Sequence, residues 1–265
     1  MEFDGKKPTF AKIFSGMKEL LVICLLCSVI GCKQQAGASA DAQQIVDLAI
    51  EASGGERYQN SRIQFTFRDR QYIAYRDSGQ RVLSRITQTD TARIEDVKTG
   101  TSFKRIVGGV PQQLADTTRQ KLSDAVNSVH YFAYLPSGLN DPAVIKTYLG
   151  KKKIGGSEYH KIQVTFEQEG GGTDFEDVFV YWFNTQTHLP DYLAYEYHTN
   201  GGGMRFREAY NERTVGGIRF VDYRNFKYEG SLPVTSLDSL FLAGDLELLS
   251  LIELKDIEVS PDSYN

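Results

Sequence analysis

Cysteine is confined to the start of the chain: Cys24, Cys27 and Cys32 all precede residue 33, and none follows. A fold built after Cys32 has no internal disulfide, no thiol nucleophile and no cysteine metal ligand. A basic excess is also missing. Lys and Arg number 30 against 34 Asp and Glu, for a formal net charge of -4, so no broad positive face is available to neutralise a phosphate backbone, and nucleic acid is not an expected partner. The four histidines, His130, His160, His188 and His198, include no pair at the i, i+4 spacing of a helical zinc site. No Gly-x-Ser-x-Gly elbow occurs, which removes the familiar serine hydrolase signature. No fixed repeat or proline-rich linker divides the chain, and one domain is the simplest organisation. What the chain does carry is aromatic side chains, 15 Tyr and 15 Phe against one Trp, a bias that favours strands.

Lys6, Lys7, Lys12 and Lys18 precede an apolar run from Leu20 to Ile30, which ends at Gly31-Cys32. A run of roughly a dozen residues has the length of a signal-peptide core and falls short of the ~20 needed to span a bilayer. Residues 1–31 therefore read as a signal peptide, with Met1 or Met17 as its start. Val29-Ile30-Gly31-Cys32 resembles the lipobox of bacterial lipoproteins. That resemblance implies cleavage before Cys32, a diacylglyceryl group on its sulfur, usually with a further acyl chain such as palmitate, and a membrane anchor of two or more chains, which is stable where one is marginal. Lys33 stands where an Asp would retain some enteric lipoproteins at the inner membrane, which favours the outer membrane facing the periplasm. Residues 32–40 read as a lipidated, flexible tether.

Asp41 with Gln44 has the form of a capping box, and Ile45, Leu48, Ala49 and Ala52 fall on one helical face before Gly54-Gly55 stops the helix. The period then changes to two. Ile63, Phe65 and Phe67 alternate with polar neighbours, and similar segments follow at 71–76, 81–87, 92–97 and 102–107. A helix is expected over 114–129, and a second from Asp141-Pro142 towards Gly150. Strands resume at 159–167, 175–183, 192–199, 204–210, 218–228 and 253–259. Val178–Phe183 is apolar on both faces and reads as a doubly covered strand, with the early helix as the candidate for its second cover.

An N-terminal helix, a long antiparallel series and interrupting helices resemble the LolA/LolB-type lipoprotein carriers. The segments Tyr148-Leu149-Gly150, Gly155-Gly156-Ser157-Glu158-Tyr159 and Trp182 to Pro190 are similar to turns in those families, and the span 42–259 resembles uncharacterised lipoproteins common in Bacteroidota. The resemblance implies a mainly β (α+β) domain over 41–265: one curved antiparallel half-barrel of about eleven strands with helices on its concave side. An inward set of Phe65, Phe67, Tyr195, Tyr197, Met204, Phe206 and Phe220 would then line a cavity for a lipid or other hydrophobic molecule.

Signals for other chemistry are weaker. Glu196 and His198 share a strand face and could form an acid/base pair. Acidic residues 167–177 surround Gly170–Gly172 without a known calcium spacing, and Gly201–Gly203 reads as a hairpin turn. Lys151–Lys153 could dock a partner or simply charge a sheet edge. No catalytic residue, metal site or cofactor is expected. The function expected is a membrane-anchored envelope protein that binds a hydrophobic ligand, the alternatives being an accessory subunit of an envelope complex and, less favoured, an enzyme.

Overall fold

The computed structural model describes residues 33–262, and the segment 1–31 expected to be a signal peptide and the expected lipidation site Cys32 lie outside the described residues. Helix α1 (Lys33–Ser53) begins inside the segment expected to be a tether and places Asp41 within the helix, not at its cap. The Gln- and Ala-rich composition of that segment accounts for this, since both are good helix formers. The buried face of α1 is Ala42, Val46 and Ala49, and Leu48 is 42% exposed, so the face is turned by about one residue from the expected one. Gly54 and Gly55 end the helix at φ 143° and 56°, with the Gly55 N–H donating to the Ile50 carbonyl. A single turn, α2 (Arg57–Asn60), follows.

The chain then runs as an antiparallel meander through β1 (Ser61–Phe67), β2 (Arg70–Asp77), β3 (Gln80–Gln88), β4 (Arg93–Thr99), β5 (Ser102–Val107) and the two-residue β6 (Val110–Pro111). Helix α3 (Asp116–Ala133) lies against β3, β4 and β5. A second meander comprises β7 (Val144–Ile154), β8 (Ser157–Phe166), β9 (Val178–Asn184), β10 (Pro190–Tyr197), β11 (Gly203–Val215) and β12 (Ile218–Tyr228). Helix α4 (Leu237–Ala243) and β13 (Glu247–Ile252) follow, and β14 (Lys255–Pro261) returns to pair with β1.

The fold is mainly β, but it holds two open seven-stranded antiparallel sheets, ordered β14-β1-β2-β3-β4-β5-β6 and β13-β12-β11-β10-β9-β8-β7, in place of one eleven-stranded half-barrel. The division falls where β6 ends at Pro111, which lacks the N–H that a further ladder would use, and where the chain leaves for α3. The helix expected from Asp141-Pro142 is instead the edge strand β7. Val144, Lys146 and Tyr148 are half-buried and alternate with exposed Ile145, Thr147 and Leu149, and pairing with β8 overrides a local cap signal.

One core joins the sheets: Ile63, Phe65 and Tyr72 from the first meet Ile162, Tyr181, Phe183 and Phe220 from the second, with Val46 of α1. On the opposite face of the second sheet, Val180, Trp182, Ala194 and Phe206 pack under Val234 and Leu237. Strand β9 is therefore covered on both faces, as its composition predicts. Helix α1 contributes to the inner cover. The outer cover is α4 with the Val234–Ser236 turn, a seven-residue helix too short to announce itself by periodicity.

His130 fastens α3 to the first sheet. Its Nε2–H donates to the Ser84 carbonyl at 3.0 Å, which leaves Nδ1 to accept the Tyr134 hydroxyl at 3.0 Å. Burial pushes its pKa down to about 3, and the ring is neutral in the fold.

Candidate functional site

A cavity of about 550 Å³ opens between α3, the inner face of the second sheet and the β8–β9 loop. Its apolar walls are Phe67, Phe132, Phe166, Phe179, Leu193 and Ile252. The volume lies within the ~300–1,000 Å³ typical of small-molecule sites. A second depression near Glu51, Glu56 and Arg57 has no aromatic lining.

The floor is set by register. Tyr181 of β9, Leu193 of β10, Arg207 of β11 and Asn225 of β12 are successive cross-strand partners, so they form one row on one face. All four line the cavity. Among the described residues, five buried side-chain polar atoms lack a well-formed hydrogen bond, and four of these belong to cavity-lining groups: the Tyr131 and Tyr181 hydroxyls, Arg207 Nε and Asn225 Oδ1. The two phenols act on one another, and burial holds both well above the ordinary tyrosine range. They are therefore neutral hydroxyls, able to donate as well as accept.

Arg207 has an unusual setting. Its Nη2 donates to the Tyr195 hydroxyl at 3.0 Å, and its guanidinium lies 5.0 Å from the Tyr195 ring and 5.3 Å from that of Phe132. Several shielded arginines meet acids: Arg85 and Arg105 meet Asp96, Arg213 meets Asp222, and Arg219 meets Asp191 and Glu212, whereas half-buried Arg205 donates to the Met204 carbonyl and the Tyr197 hydroxyl. Among the described residues, Arg207 forms no ion pair. At the rim, Asp124 accepts from Thr173, and Asp177 accepts the His198 N–H. Gly171 shapes the same rim, because a Cβ there would collide with the Glu167 carbonyl oxygen.

The expected inward set is divided. Phe67 and Tyr195 line the cavity. Phe65 and Phe220 are sealed in the core at 0% and 1% exposure, and Phe206 and Met204 belong to the outer cluster under α4. Pairing explains the split, because Phe206 stands opposite Ala194 while Tyr195 stands opposite Arg205. Tyr197 is half-buried and accepts from Arg205 at 2.8 Å. Glu196 and His198 do not pair: His198 lies past the end of β10, and its Nδ1 faces Asp177 at 3.6 Å. Lys151 meets Glu158 at 2.8 Å, and Lys152 donates to Ser239, so two lysines of that run serve contacts within the fold. Gly201–Gly203 forms the expected turn between β10 and β11. Among the described residues, no three His, Cys, Asp or Glu side chains gather as a metal site, and no helix is long and apolar enough to cross a membrane. Arg207, Tyr131, Tyr181 and Asn225 escaped the sequence reading. The apolar-polar alternation of β11 places Arg207 and Phe206 on opposite faces, but it does not say which face holds a cavity.

No curated protein matches the sequence. Among solved structures, the chain is similar to a DUF1329 family protein from Desulfovibrio piger, at 10% identity and TM-score 0.47 over 82% of this chain and 92% of that one. It is also similar to a LolA superfamily protein from Nitrosomonas europaea, at 14% identity and TM-score 0.45 over the same shares. A family model matches residues 19–254, and the chain belongs to that family, a family of unknown function (DUF6503).

Proposed function

We propose that this protein is a non-enzymatic binding protein of the bacterial envelope, anchored through acyl groups on Cys32, that holds a hydrophobic or amphipathic small molecule against the inner face of its second sheet. The observation that carries this reading is the aromatic cavity with four cavity-lining groups whose polar atoms lack well-formed hydrogen bonds. A closed core has few such atoms, because each costs about 1–3 kcal/mol when left unsatisfied. A binding site can hold them in reserve for a ligand. Native mass spectrometry and solvent extraction of the full chain should recover a stoichiometric apolar molecule. Protein that neither retains nor takes up any amphiphile is the result that rejects the reading. The anchor is tested separately: Cys32→Ser should release the protein from sedimented membranes.

A second reading is an accessory subunit that docks through the edge of the second sheet. It is favoured by β13, the outer strand, on which Leu248, Leu249 and Leu251 are about half exposed. Photo-crosslinking from Leu249 in cells should trap one protein if this surface docks, and a spread of products would reject it.

A further inference from the structure

Resting on the cavity-binding reading above, we infer that the ligand is a single-chain amphiphile with a monoanionic carboxylate head, held by Arg207 on the cavity floor. Three independent features meet there. The guanidinium is held in place by the Tyr195 hydroxyl and two aromatic rings, which leaves buried Nε without a partner. Tyr181, two strands along the same cross-strand row, and Tyr131 bring hydroxyls without well-formed hydrogen bonds, able to donate to an anion. Phe67, Phe132, Phe166, Phe179, Leu193 and Ile252 supply apolar wall for a hydrocarbon tail.

Charge fixes the head group. Arg207 is half-buried, but its Nε is shielded from solvent without a partner, and a shielded guanidinium N–H is well matched by an acid, as those of Arg85 and Arg219 are in this fold. A ligand carboxylate would supply the match for Arg207, with charge-assisted hydrogen bonds from the guanidinium and neutral ones from the phenols. The one shielded guanidinium balances one negative charge, whereas a phosphate monoester carries up to two; the other lining arginine, Arg68, is exposed and lies over the Phe67 ring at 5.1 Å. The rim carboxylates Asp124, Asp141, Asp174 and Asp177 oppose an anion. Asp141 and Asp174 are exposed and screened by solvent, while Asp124 and Asp177 already accept from Thr173 and His198. A direct, hydrogen-bonded contact with the guanidinium outweighs repulsion from acids that face solvent or already have partners. The volume of about 550 Å³ lies in the ~300–1,000 Å³ range of small-molecule sites, which suits a single-chain amphiphile.

The test is calorimetric titration of the full chain with four ligands that share one tail: hexadecanoate, hexadecanol, hexadecylammonium and hexadecyl phosphate. Hexadecanoate should bind about tenfold to a hundredfold more tightly than hexadecanol, the span set by a hydrogen bond to a charged group. Arg207→Met should remove that preference, read as the ratio of the two dissociation constants within the variant. Arg207→Lys, which keeps the charge without the fork, should retain part of it and serves if the Met variant does not fold. Equal binding of acid and alcohol overturns the head-group assignment while leaving the cavity reading intact, and so does tightest binding of the ammonium or the phosphate. If none of the four binds, the cavity reading falls as well.

Discussion

The two faces of the second sheet are made by the same strands and end in opposite conditions. On the outer face, Asp238 is 1% exposed and fully engaged: Lys161 Nζ donates to it at 2.7 Å, Trp182 Nε1 at 3.2 Å, and Lys152 stands at 3.8 Å. On the inner face, Arg207 has no acid, and two tyrosine hydroxyls and an amide oxygen lack well-formed hydrogen bonds. The difference lies in the cover. Helix α4 and the turn before it seal Trp182 and Phe206 and bring their own carboxylate. Helix α3 lies against β3, β4 and β5, and its side facing the second sheet leaves a cavity. A polar group that serves only stability is closed by the chain, and one left open on a cavity floor is available to a ligand.

The contrast can be broken most sharply at Asp238. Asp238→Ala leaves half-buried Lys161 without its acid and the buried indole N–H without an acceptor and should cost about 3 kcal/mol in urea unfolding followed by the fluorescence of Trp182, the single tryptophan. A loss below ~1 kcal/mol would show that the outer face is not sealed as described. Next in size is the dependence on acid at His130. Its folded pKa of about 3 lies below the ordinary 6.5, so between those values the unfolded chain binds the proton and the folded one does not. Its contribution is complete above about pH 6.5 and should fall by about 1.4 kcal/mol per pH unit as the pH drops towards 3. His130→Gln should flatten that part of the stability profile, and an unchanged slope counts against the buried neutral ring.

A smaller effect is expected at the cavity rim. Gly171→Ala drives a methyl group into the Glu167 carbonyl and the Phe175 side chain and should cost about 1–3 kcal/mol, read as a shift of the denaturation midpoint. The smallest belongs to Arg207. Arg207→Met removes a cation with no acid to strand and should change stability by less than about 1 kcal/mol in either direction. If it costs as much as Asp238→Ala, Arg207 is a structural residue and the contrast between the two faces disappears.

Much of the fold was legible in residue order. The period-two segments from Ile63 onward lie in strands, α3 begins two residues after its expected start, and Ile218–Tyr228 is a strand with the expected bounds. These elements report their local environment directly, because alternation mirrors one wet and one dry face. Short or locally contradictory elements were not legible. Strand β7 carries a helix-like cap, β13 exposes three leucines, and α4 has too few turns to show a period. The site was half legible: Phe67 and Tyr195 stand out as aromatic strand positions, whereas Arg207 looks like any polar residue on an alternating strand.

Sequence alone determined that the chain is mainly β after one helix, that no cysteine follows Cys32, and that β9 is buried on both sides. Each follows from composition or from near neighbours along the chain. Only the tertiary structure decided that the strands divide into two sheets, which helix seals which face, and that Arg207 is left without an acid on a cavity floor. Those outcomes depend on cross-strand register and on where distant helices land, and a residue's nearest neighbours in sequence carry neither.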